Sequence, residues 1–179
     1  MVYFMLGYQD RLFVVYGGVF DKGTVAELDA ANKECSFKTQ VSSPYRVKGS
    51  VNGPGGQCVS LPALKTLVWL DNDSNRVVAY NYETKKFKRN AAVSIPASFY
   101  KLQRYTPKSV VVVGAVGGSW DEYAYVAKGF GGGEDITVTK LPTKLPYFVN
   151  RGLFSALPSE SFQKVDSTSV DGFVPVYMR

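Results

Sequence analysis

Turn-forming residues interrupt this chain so often that no apolar run can grow into a long helix. Gly17-Gly18, Pro44, Gly49, the Gly53-Pro54-Gly55-Gly56 stretch, the Asp71–Asn75 cluster, Pro96, Pro107, Gly114, Gly117-Gly118, Gly129–Gly133, Pro142 and Pro146 divide it into short pieces. Between these breaks lie segments rich in Val, Phe and Tyr, the residue types that suit a pleated, half-buried surface. Turns at this density, with β-branched and aromatic residues between them, specify about ten to twelve short strands. The expected fold class is therefore all-β: short antiparallel meanders in one propeller-like or sandwich domain spanning 1–179, with a subdivision allowed near 42–60.

Individual segments follow from the same logic. Val2–Leu6 and Arg11–Tyr16 read as two strands, Thr24–Leu28 as a strand or one helical turn, and Cys35–Val41 as a strand. Residues 42–57 read as a long loop. The clearest hairpin joins Leu67–Leu70 to Val77–Tyr82 through Asp71-Asn72-Asp73-Ser74-Asn75. A third strand starts at Phe87–Asn90. Residues 97–106 allow two readings: a short helix from the Phe99, Leu102, Tyr105 spacing, or a strand at Ser98–Arg104. Ser109–Val113 and Glu122–Lys128 read as strands, Gly129–Gly133 as a flexible loop, and Ile136–Leu141 as a strand stopped by Pro142. Weaker strand signals follow at 147–150, 162–165 and 173–177.

Composition narrows the chemistry. The 179 residues contain no His, which removes the commonest general base, triad partner and transition-metal ligand. Cys35 and Cys58, the two cysteines, read as reduced thiols, and two thiols without His do not make an ordinary structural zinc site. No catalytic, cofactor-binding or metal-binding residue is expected. No apolar run approaches the ~18 residues of a membrane helix, and Met1–Leu6 lacks the charged leader of a signal peptide. A virion or cytoplasmic location, away from membranes, is the expectation.

Three local motifs are set aside on spacing. Gly129–Gly133 is not followed by the Gly-Lys-Ser/Thr and long helix of a phosphate loop. Asp71, Asp73 and Asn75 start like a calcium loop, but Arg76 stands where its Gly belongs and Tyr82 where its Glu belongs. The paired acids Asp121-Glu122 and Glu134-Asp135 read as loop charges. Trp69 and Trp120 read as core anchors or, if exposed beside Tyr, as sugar-stacking platforms.

The net charge of +6 is concentrated in the middle third, where residues 61–110 hold nine basic and three acidic side chains. Lys85, Lys86, Lys88, Arg89, Lys101, Arg104 and Lys108, interleaved with Tyr82, Tyr100 and Tyr105, form the candidate interaction patch. Cations there could neutralise phosphates while the rings stack on bases. The same lysines would also shield a hairpin edge from pairing with another sheet.

Three stretches repeat a pattern of strand, turn and strand: Arg11–Phe37, Leu67–Phe87 and Ser109–Val138. The first carries Gly17-Gly18 with Asp29 and Phe37. The second carries Tyr80-Asn81-Tyr82-Glu83-Thr84 with Phe87. These units resemble the blades of kelch-type β-propellers. The Asn-Tyr-x-x-x-x-aromatic turn is also similar to propeller-like parts of hub and nozzle proteins of short-tailed phages. Phe stands where kelch units carry Trp, the second unit lacks the Gly pair, and the third lacks the aromatic turn. The resemblance implies a non-catalytic structural or assembly protein, such as a component of a phage head or tail, partnered by other protein subunits in an oligomer or larger assembly. A nucleic-acid-binding β module using the patch at 80–108 is the alternative, and a carbohydrate-active or carbohydrate-binding β domain is the third reading.

Overall fold

The computed structural model describes residues 2–8, 11–17, 22–29, 36–47, 58–71, 75–90, 99–115 and 122–145. These form twelve strands in three four-stranded antiparallel sheets, each a simple meander. Sheet A runs β1 (Val2–Tyr8), β2 (Arg11–Tyr16), β3 (Thr24–Leu28) and β4 (Phe37–Ser42). Sheet B runs β5 (Cys58–Leu61), β6 (Thr66–Leu70), β7 (Val77–Asn81) and β8 (Lys86–Arg89). Sheet C runs β9 (Phe99–Thr106), β10 (Ser109–Ala115), β11 (Glu122–Lys128) and β12 (Thr137–Leu145). A single 3-10 turn, Pro62–Leu64, joins β5 to β6. Among the described residues no helix is long and apolar enough to cross a membrane.

Side-chain alternation explains how the sheets stack. On β6 and β7, Leu67 and Trp69 share a face with Val78 and Tyr80, while Val68 and Leu70 share the other with Val77 and Ala79. The first face packs against Phe13, Val15, Val25 and Val47 of sheet A and its following loop. The second packs against Leu102, Val110, Val112, Tyr125 and Ala127 of sheet C, with Phe130 and Ile136. Sheet B is thus the middle layer, and Trp69 is 0% exposed. A run buried on both faces cannot alternate with polar residues, which is why Thr66–Leu70 and Val77–Tyr80 are nearly continuous apolar stretches. Each fully buried Leu or Val here contributes roughly 1.5–3 kcal/mol. The first strands of successive sheets are neighbours: β1 approaches β5, and β5 approaches β9.

The structure departs from the sequence expectations at definite points. Of the two readings of 97–106 the strand holds over Phe99–Thr106, β9, because Leu102 and Tyr105 bury on opposite faces of a sheet and not along one helical stripe. β5 lies directly after the stretch read as a loop; it is short and only half-buried, so its apolar signal is weak. β12 runs through Pro142 to Leu145. Between the pairs Tyr123↔Lys144 and Tyr125↔Lys140 the register shifts, and Pro142 sits in that irregularity on an edge strand, where its missing N–H costs no ladder bond. The loop Gly129–Gly133 is anchored: Phe130 and Ile136 are buried in the cluster between sheets B and C. The strand signals at 147–150, 162–165 and 173–177, together with Trp120, Asp121 and Cys35, lie outside the described residues.

Candidate functional site

The densest polar cluster forms where sheets A and B meet at one end of the stack. Arg11 shares its face of β2 with Phe13 and Val15, so its side chain enters the seam between the sheets. There it donates to both oxygens of Glu27, at 2.7 and 2.9 Å, and to Glu83 Oε1 at 2.5 Å. Its guanidinium lies over the rings of Phe13 and Tyr82, 5.1 and 4.7 Å from their centroids. Glu27 is buried, and the Arg11 hydrogen bonds hold its carboxyl below its ordinary value of 4.5, against the opposing effect of burial. Glu83 also faces Lys65 Nζ at 3.9 Å. Lys38 and Lys85 both lie close enough to Glu27 to act on it electrostatically.

Two hairpin turns build this end. Asn81 Oδ1 accepts the N–H groups of Glu83 and Thr84, at 3.0 and 2.9 Å, while its Nδ2 donates to the Leu64 carbonyl at 3.1 Å. The Tyr82 N–H donates to the Lys65 carbonyl, which ties the β5–β6 turn to the β7–β8 turn. Phe87 then packs on Tyr80, its cross-strand partner, with ring centroids 4.5 Å apart. The Asn-Tyr-x-x-x-x-aromatic pattern is therefore local hairpin chemistry: a side chain that caps the turn, a ring beneath Arg11 and a cross-strand aromatic pair.

The residues of the expected patch separate in the fold. Lys85, Lys86 and Lys108 are exposed. Lys88 instead donates to the carbonyls of Gly131 and Glu134, the latter at 2.8 Å, pinning the loop of sheet C to sheet B. Arg89 donates to Asp71 Oδ2 at 3.0 Å and stacks on Tyr45, 4.6 Å from its centroid. Arg104 is half-buried on β9 of the other sheet. Tyr82 and Tyr105 are buried, so neither ring offers a face for stacking. Tyr100 and Lys101 are on β9, and their side chains are outside the described residues. Two cations not expected from the sequence, Lys38 and Lys65, join Lys85 and Lys86 at the Arg11 end. The available signal was Arg11 itself: an arginine in register with a buried face calls for a carboxylate on the paired strand, and Glu27 pairs with Phe13.

Elsewhere, an open cleft of ≈ 220 Å³ lies between Lys88, Arg89 and the loop 132–136. Asp71, the first acid of the calcium-like turn, is buried and serves that turn and Arg89. Cys58 is a free thiol whose pKa burial pushes up, which lowers its reactivity. On sheet A, the face turned away from sheet B carries Leu12, Val14, Tyr16, Ala26, Leu28 and Phe37. Val14 and Ala26 are buried, none of the six joins a buried cluster among the described residues, and Phe37 is 45% exposed.

Comparison with family models, with curated proteins and with solved structures finds no match in any of the three.

Proposed function

We propose that this chain is a non-catalytic assembly module whose meanders are successive blades of a propeller-like stack, and that it joins other protein subunits through the outer face of sheet A. The observation that supports this is an inequality between equivalent faces. In sheets B and C, the face turned toward the preceding sheet is packed: Leu67, Trp69, Val78 and Tyr80 in one, Val110, Val112, Tyr125 and Ala127 in the other. The equivalent face of sheet A mixes apolar side chains with Thr24, Gln40 and Ser42; Val14 and Ala26 are buried at its centre, while Leu12, Tyr16 and Leu28 around them are only half-buried and Phe37 is exposed. Apolar surface of this kind marks a contact site. The sequence of neighbours β1, β5 and β9 supports a radial arrangement, in which first strands gather about an axis. A phage head or tail, the setting implied by the resemblance of the hairpin units, is one assembly that uses subunits of this sort.

Light scattering coupled to size exclusion tests the reading. Wild-type protein should elute with a mass above that of one 19.7 kDa chain. Phe37→Lys and Leu28→Lys should shift it to the single-chain mass while circular dichroism stays that of a β protein. A single-chain mass for the wild type at every concentration, with no effect of either substitution, would overturn it.

A further inference from the structure

The Arg11 end of the stack has a second property that the assembly reading does not use. Among the described residues, three non-glycine positions have left-handed backbone conformations: Lys65 at φ 52°, Asn75 at φ 50° and Lys85 at φ 57°. Asn is the usual residue for such a position, after Gly, because its short polar side chain tolerates that conformation. Lysine has no such advantage. Yet the two turns that meet at the Arg11 end both place Lys there, and both side chains are exposed. A backbone position that favours Gly or Asn but carries a long cation twice, at adjacent turn tips, points to a use for the ammonium group.

The surroundings say what kind of use. Arg11 occupies Glu27 and Glu83, so the two carboxylates nearest the tips are already engaged. Lys38, Lys85 and Lys86 project around that core, and Lys65, 3.9 Å from Glu83 Oε2, stands at its edge; all four are exposed. The rings at this end, Phe13 and Tyr82, are buried beneath Arg11 and cannot stack on a base. The four lysines crown the tip, and Phe37, beside Lys38, marks its border with the outer face of sheet A. A polyphosphate backbone needs only spaced cations and gains affinity by releasing counterions.

We propose that Lys38, Lys65, Lys85 and Lys86 form a docking surface for a nucleic-acid backbone, bound by charge and without reading bases. Lys38 adjoins Phe37 of the outer face of sheet A, but Lys65 and Lys85 lie in the turns of sheet B, so a test that changes those two alone fails separately from the assembly reading.

The test is fluorescence anisotropy with a labelled DNA duplex of mixed sequence, titrated at several salt concentrations. The variants are Lys65→Gly with Lys85→Gly, and Lys22→Ser at the opposite end of sheet A as the charge control. Glycine is the better residue at both tips, so the double variant should keep or raise the thermal midpoint. Wild-type protein should bind, and scrambling the DNA sequence should leave affinity unchanged. The double variant should bind at least tenfold more weakly, with a salt slope smaller by roughly 0.9 per lysine removed. Lys22→Ser should change affinity far less. Absence of wild-type binding, unchanged affinity in the double variant, or an equal loss in Lys22→Ser would each overturn the proposal. So would polyglutamate binding as tightly as DNA, which would assign the tip to an acidic protein.

Discussion

An arginine on the buried face of a strand obliges the fold to supply carboxylates, and around Arg11 it supplies two. Glu27 answers from the paired strand and Glu83 from the next sheet, so one side chain joins local pairing to layer packing. Hydrogen bonds to a charged group contribute about 1.5–3 kcal/mol, and Glu27→Gln should destabilise the protein by a figure in that range at neutral pH. The pH dependence has a definite sign. Because Arg11 holds the folded-state pKa of Glu27 below its ordinary value of 4.5, this stabilisation is complete above that value. It is lost as pH falls through the lower, folded-state pKa. Melting curves of the wild type and Glu27→Gln should therefore converge as pH drops below about 4.5; curves that coincide at neutral pH, or that keep a constant offset down to the acid limit, would contradict stabilisation by the ionised pair.

At the level of elements, the sequence carried strand identity better than strand ends. β6, β7 and β10 follow directly from apolar runs bounded by turn formers, because residues buried on both faces leave a continuous apolar record, and β2 follows from the run Leu12–Tyr16. β5 left almost no record, since three half-buried edge residues before the buried Leu61 look like loop. Pro142 misled in the other direction: a rule against Pro in central strands says nothing about an irregular edge. The glycine loop shows what composition hides. Gly129 has φ 89°, and a Cβ there would meet the Asp135 carbonyl oxygen at 2.0 Å, whereas a Cβ at Gly132 would meet nothing within 4 Å. Gly129 is thus required by the close approach of two backbone segments, and Gly132 is not. In denaturant unfolding, Gly129→Ala should cost more than about 1–2 kcal/mol and Gly132→Ala should stay within about 0.5 kcal/mol. Equal effects would mean that the loop is not held as described. The candidate patch was legible in its charge but not in its membership, because linear proximity cannot show that Lys88 and Arg89 turn inward to Gly131 and Asp71 while Lys38 and Lys65 arrive from other strands.

For the whole molecule, the governing fact is the order of layers. Sheet B holds β6 and β7 between two apolar clusters, and sheets A and C each use one of those clusters. The repeat of strand, turn and strand in the sequence marked the three meanders, but periodicity alone carries no information on which faces meet. Both functional readings depend on the layering: it leaves an apolar face on the far side of sheet A and brings the tips of sheets A and B together around Arg11. Amide hydrogen exchange tests it directly. Backbone amides of Leu67–Leu70 and Val77–Tyr80 should exchange slowest, opening only with global unfolding, while those of the exposed edge strand Phe37–Ser42 exchange through local opening far faster. Exchange in β6 and β7 as fast as in β4 would mean that sheet B is not the middle layer, and the account built on it would fail.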